Sequence, residues 1–155
     1  MIAAYLAALR ALRAAGVPYV VIGGLALHLR YGAQLDLPVR DCDLLLPSVA
    51  IGPDACTAAL RARGWRVRSW QDDVHPPLDL EMLAGRYYLR ATLGNGIIDA
   101  TYEYDAVTWP EAEAAAELHA GIPVAAPAHL IALMAARDSA QDRARIAAVR
   151  KLAGL

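Results

Sequence analysis

Two short apolar runs, and the residues that flank them, constrain the fold of this chain most strongly. Tyr19-Val20-Val21-Ile22 is rich in residues that favour strands, and it leads directly into Gly23-Gly24. Leu44-Leu45-Leu46 follows a second distinctive segment, Arg40-Asp41-Cys42-Asp43. Short apolar runs bounded by turn residues are typical of buried strands. We therefore expect two buried strands, one ending in a glycine turn and one beginning with a pair of carboxylates.

Length and composition predict one domain that does not enter a membrane. A chain of 155 residues has the size of one ordinary domain with one core. Alanine inflates the hydrophobic fraction of 57%, and no uninterrupted apolar run of about 18 residues is present to span a bilayer. The N-terminus lacks the basic start typical of a secretory signal, and Cys42 and Cys56 lack metal-type spacing. We expect a cytoplasmic protein with a single domain over residues 1–155, of which residues 111–155 form a mainly helical C-terminal part.

The alternation of helical and strand patterns predicts an α/β (α+β) fold. Helices are predicted over residues 2–15, 25–31, 53–63, 111–119 and 128–152. Strands are predicted over residues 19–22, 41–46, 65–70, 86–92 and 97–104, and residues 71–77 have the composition of an exposed loop. The Asn95-Gly96 pair predicts a tight hairpin between the last two strands. Asp138-Ser139 can break the last helix, so one bent helix and two separate helices are both open.

Asp41 and Asp43 are candidate metal ligands. Residues two apart in a strand project to the same face, so both carboxylates can point at one site. Such a pair is repulsive unless a cation lies between the two groups, and Mg²⁺ commonly combines one or two carboxylates with substrate phosphates. Spacing alone does not distinguish this pair, because the chain has other acid-x-acid pairs: Asp79 with Glu81, Glu103 with Asp105, and Glu111 with Glu113.

The setting of the aspartate pair carries more information than its spacing. The strand, Gly23-Gly24 turn and helix before it are suited to phosphate, because glycines let a phosphate approach backbone amides and a helix N-terminus attracts anions. The alternative is an ordinary tight turn in which one glycine has a positive φ. Asp99, after Gly96-Ile97-Ile98, offers a third carboxylate on another strand, although an aspartate at a strand end often simply terminates pairing.

Taken together, Gly23-Gly24, Asp41-x-Asp43 and Asp99 resemble the DNA polymerase β-like nucleotidyltransferase superfamily, in particular its small bacterial members related to the AbiEii and MenT toxins. The resemblance runs from about Val17 to Tyr104, with a weaker similarity over Pro127 to Leu152. It implies the nucleotidyltransferase fold, a mixed twisted sheet flanked by helices with a helical C-terminus. It also implies roles for individual residues: Asp41, Asp43 and Asp99 bind metal and act in catalysis, and Gly23, Gly24 and Arg40 bind the nucleotide.

The activity implied by the resemblance is transfer of a nucleoside monophosphate from an NTP, such as ATP, to an acceptor hydroxyl with Mg²⁺ or Mn²⁺. The acceptor can be an RNA end, a protein or a small alcohol, and the protein can be the toxin of a toxin-antitoxin pair, with an antitoxin as partner. The alternative is a catalytically degenerate protein that binds nucleotide or a partner. Val39 and Met134 favour that alternative, because relatives often carry threonine and lysine there, although Arg137 can substitute for the lysine from one turn further on.

Other polar residues have weaker signals. Arg86, Tyr88 and Arg90 alternate on one strand face and can reach phosphate or acceptor, but a solvated sheet face is the preferred explanation. The densest basic cluster can guide RNA, although the chain favours arginine throughout and its net charge is -1; this cluster comprises Arg61, Arg63, Arg66 and Arg68. Glu103 can act as a further acid behind Asp99. The four histidines have no ligand spacing, so we interpret them as structural.

Overall fold

A computed structural model of the chain describes residues 1–47, 49, 51–78, 88–101 and 106–155. Its helices are α1 (Ile2–Ala14), α2 (Gly23–Tyr31), α3 (Ile51–Arg61), α4 (Trp109–Ala115), α5 (Pro127–Arg137) and α6 (Ala140–Ala153), with a 3₁₀ turn over Gly32–Gln34. Its strands are β1 (Val20–Ile22), β2 (Cys42–Leu45), β3 (Arg66–Ser69), β4 (Asp72–Asp73), β5 (Tyr88–Leu93), β6 (Gly96–Thr101), β7 (Glu117–His119) and β8 (Ile122–Val124). Parts of the predicted strands, residues 86–87 and 102–104, lie outside the described residues.

The described strands form one mixed eight-stranded sheet in the order β4-β3-β5-β6-β2-β1-β8-β7. β2 runs parallel to β6, and β1 runs parallel to β8, whereas the other neighbours are antiparallel. The two apolar runs of the sequence, β1 and β2, are neighbours in the interior of this order, which explains why both are almost entirely buried. The predicted α/β fold, a mixed sheet flanked by helices with a helical C-terminus, is confirmed.

Helix α1 packs an apolar stripe into the core and anchors the approach to β2. Tyr5, Leu9 and Leu12 recur at helical spacing and are fully buried. The Tyr5 hydroxyl donates to the carbonyl oxygen of Arg40 at 3.0 Å and accepts from the backbone N–H of Ile97 at 3.2 Å. One side chain therefore links α1 to the residue before Asp41 and to the strand that carries Asp99.

The turn between β5 and β6 lies in the predicted connection, residues 93–96. Leu93 pairs with Gly96, so Gly94 and Asn95 occupy the centre of the two-residue turn. Gly94 has a φ of +56°, at the first central position where a type II′ turn requires a positive value. The hairpin itself is confirmed, but Asn95-Gly96 is not its centre.

The predicted helix over residues 111–119 is wrong in its last part. Helix α4 ends at Ala115, and Glu117–His119 forms β7 instead. The φ values of Ala120 and Gly121 are +52° and +78°, and a type I′ hairpin needs positive values at both central residues. Alanine-rich sequence favours helix locally, but pairing of β8 with β1 draws this segment into the central sheet. The C-terminal part thus contributes two strands besides its helices.

Two smaller differences concern the edge of the sheet and the last helix. The predicted loop over residues 71–77 contains the two-residue strand β4, which pairs with β3. The break allowed by Asp138-Ser139 is present, since Asp138 has a φ of +47° and separates α5 from α6. Among the described residues, no helix combines the length and apolar character needed to cross a membrane.

Candidate functional site

The centre of the sheet brings the three predicted metal ligands together. Asp43 of β2 pairs with Ile22 of β1 on one side and with Asp99 of β6 on the other. Direct pairing of two strand residues places their side chains on the same face of the sheet. Asp41 lies immediately before β2, and one carboxylate oxygen from each of Asp41, Asp43 and Asp99 lies within 4.8 Å of the others. We call these three residues the acidic triad.

Gly23 is required by the triad as well as by the turn. It directly follows Ile22, the partner of Asp43, and its φ of +69° is rarely adopted by residues with a side chain. A Cβ at this position would clash with Oδ2 of Asp43 and would lie 3.0 Å from its Cγ. A Cβ on Gly24 would meet nothing within 4 Å. The tight-turn explanation therefore holds at Gly23, where Asp43 also leaves no room for a side chain, whereas the described protein atoms leave space beside Gly24.

Helix α2 begins at Gly23, two residues before its predicted start, so its N-terminus lies at the triad. The first N–H groups of a helix have no partner within the helix and carry a partial positive charge. Asp43 and the end of β1 therefore lie beside free donors that suit an anion. The N-terminus of α2 and the acidic triad therefore lie side by side.

Burial and neighbouring charge raise the pKa of Asp43 to about 7. Burial is the largest cause, the carboxylates of Asp41 and Asp99 add to it, and Arg137 and Arg90 oppose it. A carboxyl group that resists ionisation beside two others is one that a cation would stabilise. Three carboxylates are also the oxygen donors that Mg²⁺ and Mn²⁺ prefer, so the donor set fits a divalent cation.

Arg90 forms a bidentate ion pair with Asp99. The two residues pair directly between β5 and β6, and the Arg90 Nε and Nη2 atoms donate to the two Asp99 carboxylate oxygens at 2.8 Å each. The Arg90 guanidinium also lies 5.7 Å from the centre of the Tyr88 ring, and burial together with a hydrogen bond to Asp99 raises the pKa of Tyr88 to about 12. Tyr88 and Arg90, which the sequence predicts on one strand face, therefore contact the third carboxylate.

Two adjoining clefts meet at the triad. The polar cleft has a volume of about 330 Å³ and is lined by Gly23, Gly24, Pro38, Arg40, Asp41, Asp43, Arg137, Gln141, Asp142 and Arg145. The apolar cleft has a volume of about 240 Å³ and is lined by Ile22, Gly23, Gly24, Leu27, Asp43, Ala106, Leu130, Leu133, Met134, Ala136, Arg137 and Arg145. Gly23, Gly24 and Asp43 line both clefts. A ligand with a charged end and an apolar end can therefore contact the triad from both.

The junction of α5 and α6 fixes Arg137 at the mouth of the clefts. Asp142 is buried and accepts from Arg137 Nε at 3.2 Å and Nη2 at 2.9 Å. Ser139 donates from its hydroxyl to Asp142 at 2.7 Å and, as N-cap of α6, accepts from the Asp142 backbone N–H at 3.0 Å. The Arg137 guanidinium beside Asp142 is the first cause that holds the pKa of that carboxyl below its usual range. These hydrogen bonds hold the Arg137 guanidinium in place beside the clefts.

Arg145 is a site residue that sequence reasoning missed. It lines both clefts, and its buried Nε has no hydrogen-bond partner among the described residues. The arginine bias of the chain hides it among many others. The available signal was its spacing, because Arg145 lies three residues after Asp142 and therefore on the same side of α6.

Some of the remaining predicted candidates line the polar cleft, and others lie at the outer part of the sheet. Arg40 and Gly24 line the polar cleft beside the triad. Arg66 and Arg68 pair with Asp73 at the outer part of the sheet, and Arg61 donates to the carbonyl oxygen of Val74. Arg86 and Glu103 lie outside the described residues.

The fold and the site define an α/β protein with a mixed sheet and a clustered acidic triad that can bind a divalent metal. No model of a known protein family matches the chain, and no curated protein sequence matches it. Among solved structures, the crystal structure of JHP933 from Helicobacter pylori is similar at 21% sequence identity and a TM-score of 0.47. The similarity covers 84% of this chain and 52% of that chain, so this chain spans about half the length of JHP933. Membership of the nucleotidyltransferase superfamily stays a prediction.

Proposed function

We propose that this protein is a metal-dependent nucleotidyltransferase that moves a nucleoside monophosphate from an NTP to an acceptor hydroxyl. The observation that carries the proposal is the convergence of Asp41, Asp43 and Asp99 within 4.8 Å beside a glycine turn that opens a helix. The carboxylates can bind a metal ion. The backbone N–H groups at the start of the helix and the nearby arginines can bind the phosphates of a metal-bound triphosphate.

The acidic triad would hold the divalent cation. Asp41 and Asp43 offer oxygens from consecutive same-face positions, and Asp99 offers one from the neighbouring strand. When bound, such a cation supplies charge that offsets the repulsion among the carboxylates and polarises phosphate oxygens. The raised pKa of Asp43 fits this role, because burial first and the neighbouring carboxylates second disfavour the charged form that a cation would stabilise.

The polar cleft would receive the triphosphate and the apolar cleft the nucleoside. The N-terminus of α2, with Arg40, Arg137 and Arg145, provides donors along the polar cleft. Leu27, Leu130 and Met134 provide an apolar surface for a base and sugar. Met134, which departs from the lysine of relatives, suits this apolar wall, and Arg137 supplies a cation nearby.

The proposed reaction is an in-line displacement at the α-phosphorus. A bond forms between the acceptor oxygen and the α-phosphorus, while the bond from that phosphorus to the bridging α,β-oxygen breaks. Pyrophosphate leaves with the electron pair of the broken bond, and the acceptor hydroxyl proton passes to a carboxylate of the triad. Asp99 is suited to that step because it stands on the side of the triad away from the glycine turn.

Nucleotide binding without transfer is the second candidate function. It is favoured by one observation, the ion pair in which Arg90 occupies both oxygens of Asp99. An Asp99 that stays paired in this way has both carboxylate oxygens engaged by Arg90 N–H groups, which leaves it less available to take the proton of an acceptor hydroxyl. In that case the protein would bind a metal-nucleotide complex through the other two aspartates.

The experiment is a label-transfer assay with each α-labelled NTP, Mg²⁺ and three separate acceptor pools: RNA, protein and small alcohols. Asp41→Asn and Asp43→Asn should each lower transfer by at least roughly a hundredfold, the usual scale for loss of an electrostatic catalytic group. Asp36→Asn is the matched control, because Asp36 is exposed and its left-handed backbone tolerates asparagine. Transfer that survives both triad substitutions would contradict the proposal. Metal-dependent NTP binding without transfer to any pool supports the second candidate.

A further inference from the structure

The hairpin between β3 and β4 places a tryptophan where the backbone favours glycine. Ser69 pairs with Asp72, which leaves Trp70 and Gln71 as the two turn residues. Trp70 has a φ of +54°, whereas glycine leads at the first central position of turns with this conformation. The Trp70 side chain is nevertheless 76% exposed. A strained backbone and a large exposed aromatic ring are both unfavourable for folding, so a function of the ring accounts for them better.

A row of paired residues connects this hairpin to the acidic triad. Asp99 pairs with Arg90, Arg90 pairs with Arg68, and Arg68 pairs with Asp73. Neighbouring strands lie about 4.8 Å apart, so Arg68 is roughly 10 Å from Asp99 across the sheet. The row lies on the face opposite the buried Leu89, because successive strand residues alternate between faces.

Two aromatic rings lie at the turn end of this face, and three guanidinium groups lie beside them along the strands. The rings of Trp70 and Tyr88 lie 5.7 Å apart, and the Arg90 guanidinium lies 5.7 Å from the Tyr88 ring. Arg66 and Arg68 share Asp73 at 3.3 and 3.4 Å, in ion pairs whose members are largely exposed. Exposed pairs contribute little to stability, so these arginines can exchange the carboxylate for a phosphate at small cost.

We propose that this face, the platform formed by Arg66, Arg68, Trp70, Tyr88 and Arg90, binds a single-stranded nucleic acid as the acceptor. The inference rests on the proposed function, and it names the acceptor class. Bases would stack on the Trp70 and Tyr88 rings, and phosphates would pair with the arginines beside those rings. A small alcohol would need contacts only at the triad, whereas the platform continues for two strands beyond it. A protein acceptor becomes an outcome of the test.

The experiment measures binding of a short, 5′-fluorescein-labelled oligoribonucleotide by anisotropy, without NTP, at several salt concentrations. Trp70→Gly should weaken binding roughly tenfold, the scale of one lost base stack. Its melting temperature should be unchanged or higher, because glycine accepts a positive φ without strain. If Trp70 had only a structural role, Trp70→Gly would lower the melting temperature and leave RNA binding unchanged. Trp70→Asn, which also tolerates the left-handed backbone, repeats the test with a second variant.

A second experiment tests how the arginine charges of the platform contribute to binding. Arg68→Ala should weaken binding and reduce the slope of log affinity against log salt by roughly one phosphate contact. Arg10→Ala removes the same charge from the exposed side of α1 and should change neither quantity. A duplex of the same sequence should bind more weakly than the single strand, because its bases are not free to stack.

The two proposals fail in different ways. Wild-type affinity in both Trp70→Gly and Arg68→Ala, or equal affinity for single strand and duplex, would overturn the platform even if label transfer occurs. Label transfer to protein or small alcohols but not to RNA would also overturn it. If the platform variants lose RNA binding as expected but no NTP is consumed with any acceptor, the platform stands as a binding surface and the transferase proposal fails.

Discussion

Arg90 and Asp99 face each other across β5 and β6, and the guanidinium holds both carboxylate oxygens at 2.8 Å. The same carboxylate belongs to the acidic triad, so Arg90 and a metal ion compete for it. The competition makes Arg90 a determinant of metal affinity even though it is not a ligand itself.

Arg90→Ala should raise the affinity for Mn²⁺ in the absence of nucleotide. An exposed ion pair contributes up to about 1 kcal/mol, so its loss should tighten metal binding roughly fivefold. Isothermal titration calorimetry measures this directly. Arg68→Ala is the matched control, because Arg68 lies next in the row but pairs with Asp73. Weaker metal binding in Arg90→Ala would show that Arg90 supports the triad instead of competing for it.

Gly23→Ala and Gly24→Ala should have opposite effects on stability. Gly23→Ala forces a side chain into a φ of +69° and against Asp43, and we expect a loss of about 2–4 kcal/mol, or several degrees in Tm. Gly24 is helical with free space around it, so Gly24→Ala should leave stability unchanged or raise it by about 0.5–1 kcal/mol. Thermal unfolding followed by circular dichroism separates the two. Equal melting temperatures would mean that Asp43 relaxes away from Gly23 at little cost.

The central part of the site could be predicted from sequence because local signals there agree with the tertiary structure. The apolar runs before Gly23 and after Asp43 define interior strands by composition alone. Two-residue periodicity then places Asp41 and Asp43 on one face, and Asp99 follows a third strand. Each of these steps uses only neighbours in sequence.

The pairing of Arg90 with Asp99 could not be predicted, because it depends on one residue of hairpin register. With Asn95-Gly96 at the centre of the turn, Asp99 would face Thr92 instead. The observed centre is Gly94-Asn95, and it moves every cross-strand pair by two positions. The strand β7 was missed for a related reason, since its pairing partner contacts β1 about a hundred residues away in sequence.

Asp43→Asn should stabilise the metal-free protein near neutral pH. The folded pKa of about 7 lies above the roughly 4 of an unfolded aspartate, so the folded state binds more protons between these values and stability falls as pH rises through this window. The substitution removes the buried charge, and the free energy of unfolding at a pH of about 8 should rise by roughly 1–3 kcal/mol. The gain should vanish near a pH of about 3, below both pKa values. Urea unfolding at the two pH values measures it.

A matched control and a metal titration complete that experiment. Asp36→Asn, on an exposed residue, should leave the pH dependence of the wild type intact. Saturating Mg²⁺ should stabilise the wild type, because ligands that bind the folded state raise its stability, and should stabilise Asp43→Asn less. A gain from Asp43→Asn that does not grow as pH rises from about 4 to about 7 would contradict the raised pKa of Asp43.

Asp142→Asn should destabilise the junction of α5 and α6 at neutral pH. Removing a buried charge that Arg137 and Ser139 satisfy should cost about 1–3 kcal/mol. The Asp142 pKa is lowered, first by Arg137, so this contribution is present above the unfolded value of roughly 4 and is lost as pH falls through the folded pKa. Urea unfolding should therefore separate wild type and variant at a pH of about 7 and bring them together in strong acid.

Asp138→Asn, at an exposed pair with Arg143, should stay within about 0.5 kcal/mol of the wild type at both pH values. Equal losses in the two variants would mean that Arg137 is held by contacts other than Asp142, and its place at the clefts would then not depend on the α6 cap.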